Sequence, residues 1–160
     1  MKLKLLAPVL ALLLSACGFH LRGLVDIPQW LNNVAVIADN GNKGLAAKLK
    51  ILLDQYQIDV NPDPDNAKFW LVINNSSLRQ QIISIGASTN PRQYQLILTT
   101  EFSLQTTKGK IIKPPTKIMV SRQLTVNNDR ILGSNDEENT LVNEMRQDTA
   151  VQILNRLAHQ

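Results

Sequence analysis

Cys17 is the residue whose neighbours most clearly define a reaction at it. Leu14-Ser15-Ala16-Cys17 has the form of a bacterial lipobox. The small residues let a processing enzyme reach the backbone, and the thiol takes a diacylglyceryl group. Ahead of it lie a short basic start, Lys2 and Lys4, and an apolar run from Leu5 to Leu14. Together they form a secretory signal, too short for a spanning helix, which needs ~20 apolar residues. Residues 1–16 are therefore expected to be removed, leaving Cys17 at the head of the mature chain. As a free thiol this single cysteine would stand without a partner in an oxidising compartment. As a lipid carrier it makes an anchor, because buried acyl chains contribute roughly 0.8 kcal/mol per CH₂ and more than one chain holds stably. Gly18 follows where an acidic residue would favour inner-membrane retention. The expected address is the inner leaflet of the outer membrane, facing the periplasm.

Elsewhere the residue types give little for catalysis to use. The histidines are His20, beside the tether, and His159, next to the last residue, and a triad needs a base oriented against its nucleophile. Lipidation would block the only thiol, which removes thiol chemistry and cysteine-based metal binding. Ser76-Ser77 belongs to no motif, no glycine-rich phosphate loop occurs, and Glu137 with Glu138 is better explained by a helix start than by acid–base work. Asp59, Asn61, Asp63 and Asp65 alternate like the first ligands of a calcium loop, but Pro64 and Trp70 stand where that loop needs Gly and Glu. A stiff structural turn is expected there. The sequence thus points to a non-enzyme with no metal and no cofactor.

Charge distribution points to an anionic partner. Residues 79–122 hold Arg79, Arg92, Lys108, Lys110, Lys113, Lys117 and Arg122 against Glu101 alone, whereas residues 123–160 are net acidic. Such a basic middle is where an anion would bind, and it is equally what a solvated sheet face with lysines discouraging edge pairing would show. Few aromatics are interleaved for base stacking, so nucleic acid is not expected.

Removing the signal leaves 144 of the 160 residues, enough for one domain with one core, preceded by a lead-in over residues 17–30. Val34 to Ala38 is a short buried-strand run, and residues 44–55 carry Leu45, Leu49, Leu52 and Leu53 at helical spacing. A brief strand follows at Gln57 to Val60, then a central strand at Lys68 to Asn74 whose pattern weakens over residues 75–81 and resumes at Ile82, as after a bulge. The cleanest alternation runs from Gln93 to Gln105, with Tyr94, Leu96, Leu98, Thr100, Phe102 and Leu104 on one face. Its return strand, about residues 111–126, contains Pro114-Pro115, which confines that part to an edge or bulge. Arg122 falls on the apolar face of that strand, either with its stem packed and its head reaching the rim or as a fixed charge for a partner or ligand. Ser134 and Glu137 form a capping-box pattern, so a helix is expected over residues 136–158. The expected fold is α+β: two helices packed on one face of a mixed, mostly antiparallel sheet of about four to five strands.

Cys17-Gly18-Phe19-His20-Leu21-Arg22-Gly23 closely resembles the mature N-terminus of the lipopolysaccharide-assembly lipoprotein family LptE. The Gln93-to-Leu98 strand, Val120-Ser121-Arg122 and Glu144-Met145-Arg146-Gln147-Asp148 resemble the family in order and spacing. The resemblance implies a plug that pairs one to one with the LptD outer-membrane β-barrel, assists its assembly, binds lipopolysaccharide (LPS) and helps deliver it to the outer leaflet, without catalysis. The competing class is an adaptor lipoprotein that binds another envelope protein or the cell wall. Some family members carry an LPS-contacting base where Ala87 stands here. That contact is expected instead from Arg92, Lys108, Lys110 or Lys117, and Arg122 is added because members commonly have an arginine in that strand.

Overall fold

A computed structural model describes residues 27–38, 43–85, 91–126 and 131–159, with the side chains of residues 84, 85, 91, 92 and 131–135 outside that description. The expected signal, Cys17, His20 and residues 39–42, 86–90 and 127–130, where turns or loops are expected, lie outside it as well.

The elements in chain order are β1 (Asn33–Ala38), α1 (Lys43–Gln55), β2 (Asp59–Val60), a 3-10 turn (Pro64–Asn66), β3 (Phe69–Ile85), β4 (Pro91–Thr106), β5 (Ile111–Thr125) and α2 (Ile131–Ala158). They form a five-stranded sheet in the order β2-β1-β3-β4-β5. β1 pairs in parallel with both β2 and β3, and the β3–β4 and β4–β5 pairs are antiparallel. The expected α+β arrangement of two helices on a mixed, mostly antiparallel sheet is what forms.

Hydrophobic spacing explains the layers. On α1 the residues Leu45, Leu49, Leu52 and Leu53 make one stripe and are buried, while Lys50 and Ile51 lie outside. On α2 the stripe is Val142, Met145, Thr149, Ile153 and Leu157, widened by Ala150 and Leu154. Thr149 tolerates burial because its Oγ1 donates to the Met145 carbonyl one turn back, at 2.7 Å. The helices pack on each other and over the sheet face that carries Leu71 and Ile73 of β3, Leu96, Leu98, Phe102 and Leu104 of β4, and Ile118, Val120 and Leu124 of β5.

Two boundaries differ from the sequence-based expectation, and one expectation is met. β3 is continuous through residues 75–81 rather than interrupted, because backbone pairing with β4 holds it despite its polar side chains; the expected irregularity survives as a register shift between Ile73 and Asn75. Pro114-Pro115 does not break β5, which is the edge strand that two prolines require, with register shifts opposite Phe102 to Gln105. α2 begins at Ile131, so Ser134 lies inside the helix and the capping box expected at Ser134–Glu137 is not the helix start.

The Asp-rich segment is a structural turn. Asn61 Oδ1 accepts from the Asp63 amide and Asp63 Oδ1 from the Asp65 amide, and Asn66 Nδ2 donates to Asp63 Oδ2 at 2.7 Å. The indole of Trp70 fastens the turn to the sheet by donating to the Pro64 carbonyl, also at 2.7 Å.

Candidate functional site

The five basic residues singled out from the sequence are spread over the sheet instead of converging. Lys108 and Lys110 stand exposed on the turn between β4 and β5. That turn is closed by Gly109, whose φ of +81° an L side chain adopts only with strain, and by the Thr106 hydroxyl, which accepts from the Lys110 amide. Arg92 is at the opposite end of β4; only its backbone is described. A strand rises ~3.3 Å per residue, so roughly 50 Å separates Arg92 from the turn, and one headgroup cannot meet both.

Lys117 and Arg122 point to opposite faces of β5. Lys117 lies on the open face, opposite Glu101 in the register, with Nζ 3.8 Å from Glu101 Oε2 and a side chain 74% exposed. A pair so exposed leaves the ammonium available to another anion. Arg122 lies on the helix-covered face, opposite Leu96. Its guanidinium pairs with Asp148 of α2 and donates to the Ser121 carbonyl at 3.0 Å. The head of Arg122 is thus held by a carboxylate of this same domain.

Sequence reasoning missed Asp148 as that partner. Its signal was present, since Asp148 precedes the buried Thr149 and lies three residues from the buried Met145, which puts it on the border of the packed stripe. The Glu144-to-Asp148 motif thus contains a core residue, Met145, and an anchor for β5, Asp148. A recess of about 410 Å³ opens between the helices, lined by Lys48, Thr140, Asn143, Glu144 and Gln147. Lys108, Lys110, Lys117 and Arg122 do not line it. No group of three or more His, Cys, Asp or Glu side chains with metal-binding geometry occurs among the described residues.

The face of β3, β4 and β5 turned away from the helices carries no covering layer among the described residues. In register it stacks Gln81, Gln95 and Gln123 in one row, Arg79, Ile97 and Ser121 in the next, then Ser77, Thr99 and Met119, then Asn75, Glu101 and Lys117. Amides and hydroxyls dominate it, with two bases and one acid. Such a face hydrogen-bonds readily in a wet setting and offers no set of groups for catalysis.

Comparison with known proteins follows this geometry. The chain is 26% identical over 151 residues to a protein of Pectobacterium atrosepticum described as LPS-assembly lipoprotein LptE, covering 92% of this chain and 80% of that one. It is 25% identical over 156 residues to the protein of the same description from Photorhabdus laumondii, covering 97% and 84%. Among solved structures, an uncharacterized lipoprotein B from Nitrosomonas europaea superposes with a TM-score of 0.71 at 22% identity, covering 88% of this chain and 90% of that one. The rare lipoprotein B from Shewanella oneidensis gives 0.66 at 22% identity, covering 78% and 92%. These two establish the fold. A family model described as LptE, lipopolysaccharide-assembly, matches residues 31–157, which span every strand and nearly all of both helices, and the chain therefore belongs to the LptE family.

Proposed function

We propose that this protein is an outer-membrane lipoprotein, anchored through Cys17, that plugs and helps assemble an LptD-type β-barrel, binds LPS and assists its passage to the outer leaflet. The observation that carries this reading is the family match over nearly the whole folded domain. The physical form suits it. Barrel lumens are polar and wet, and the open sheet face presents amides and hydroxyls in register. A lipid tether would raise the domain's effective concentration at one membrane. The role involves no bond-making step and no cofactor.

LPS carries phosphates and carboxylates on its inner portion, which lysine and arginine pair with. Arg92 and the Lys108–Lys110 turn are too far apart to share one headgroup, so they would serve as separate contacts. Lys117 is the base best placed to act from the open face, and Arg122 would first have to leave Asp148. The test of the partner is purification of the lipidated protein from its native membranes under mild detergent. An LptD-type barrel in one-to-one ratio is expected; recovery without any β-barrel would contradict the plug and favour an adaptor. LPS affinity of R92A, K108A/K110A and K117A then locates the ligand.

A further inference from the structure

Among the described residues, no strand pairs with the outer edge of β3 beyond Ile73. β1 pairs with β3 only from Phe69 to Ile73 and ends at Ala38. Beyond that point β3 runs on to Ile85 paired with β4 alone, among the described residues. Along residues 74–85 alternate backbone N–H and C=O groups therefore face outward. The other long edge, β5, is guarded in the ways natural edges are: Lys113, Pro114, Pro115 and Lys117. Over residues 74–85 there is no proline and no lysine, and Arg79 is the only charge.

The side chains flanking this edge are also left uncovered. Leu78 and Ile82 lie opposite Leu98 and Tyr94 and so on the helix side of the sheet. Yet Leu98 is 1% exposed, while Leu78 is 42% and Ile82 52% exposed. The helices lie over β1, β4 and β5 and stop short of this half of β3. Ile83 is exposed as well, at 45%.

We propose that residues 74–85 of β3 receive an extended segment of the barrel partner as an added strand, with apolar residues over Leu78 and Ile82 and an acid near Arg79. This rests on the barrel-plug reading above. Four considerations select that occupant. An added strand pairs the outward backbone groups in place of water; an acyl chain laid over Leu78 and Ile82 would bury them unpaired, at a cost. Arg79 has no ion-pair partner among the described residues, so a carboxylate in the added strand gains a charge partner. A second copy is disfavoured, because two-fold antiparallel pairing over residues 74–85 brings the two Arg79 side chains together at the axis. The chain's own Cys17-to-Asp26 segment is too short. Its ten residues reach ~35 Å fully extended, and residues 74–85 alone are about that long at ~3.3 Å per residue, which leaves no length to carry the segment past β1.

Hydrogen exchange of the full lipidated protein tests this, measured in the barrel complex extracted from native membranes and in the isolated lipoprotein. The expected result is that alternate amides of residues 75–85 slow about tenfold or more in the complex. L78K/I82K should abolish that slowing and weaken the complex while I51K, on the outer face of α1, changes neither. R79E, a milder change should the double variant not fold, should weaken the complex several-fold. An intact complex in which residues 75–85 exchange as in the isolated protein overturns the added strand and leaves the plug standing. Slowing produced by LPS alone assigns the edge to ligand, and slowing that grows with the isolated protein's concentration assigns it to a second copy; either overturns the proposal. Absence of any barrel complex removes the plug reading and the added strand with it.

Discussion

Breaking the Arg122–Asp148 pair separates a structural arginine from a ligand-binding one. The pair joins β5 to α2, and its side chains are 40% and 42% exposed. Charges that accessible are screened, and exposed pairs contribute ~0.2–1 kcal/mol in double-mutant cycles. The coupling between R122A and D148A should therefore be about 0.5 kcal/mol and below 1 kcal/mol. R122A alone should cost more than this, because truncation also removes the aliphatic stem from its contacts beside Leu96. For a domain of this size 1 kcal/mol shifts Tm by roughly 3–5 °C, so D148A should lower Tm by ~2 °C. The assay is urea unfolding of the wild type, both single variants and the double variant, followed by LPS binding of each. D148A frees the guanidinium; if Arg122 contacts LPS, D148A should bind LPS more tightly than wild type and R122A less tightly. Equal affinity in all four would make Arg122 a purely internal link. A coupling energy above ~2 kcal/mol would refute the screening argument, since only a largely desolvated pair reaches that value.

Two further outcomes follow from packing and backbone geometry. Phe102 is fully buried on the helix-covered face of β4, and F102A should cost about 3–5 kcal/mol by urea unfolding. Gly109 has φ +81° and open space where a Cβ would sit, so G109A should cost only the left-handed backbone penalty, about 1 kcal/mol, and G109V more, while the LPS affinity of the Lys108–Lys110 turn falls if that turn binds headgroups.

What the sequence made legible depended on how each segment is covered. The alternation of Tyr94 to Leu104 was clear because β4 is central, with one face under helices and the other open, so each residue type reports its side. The α1 and α2 stripes were legible for the same reason. β3 beyond Ile73 was not, because neither its edge nor its helix-side face is covered and its side chains are mostly polar; its conformation is set by β4 across the ladder. The start of α2 was misjudged because Ser134 and Glu137 have the spacing of a cap, whereas the helix already runs from Ile131. Candidate bases could be named from charge, but a linear cluster does not reveal that a 16-residue strand puts Arg92 and Lys108 at opposite ends, or that Arg122 meets a carboxylate from a helix 26 residues away.

The most direct test of the role in LPS assembly is depletion of this protein in its native cell, with LPS exposed at the outer leaflet measured as the protein disappears. Surface LPS should fall while LPS accumulates behind the outer leaflet, and re-expression of the wild-type chain, but not of C17S, should restore it. Unchanged surface LPS after complete depletion would contradict the account.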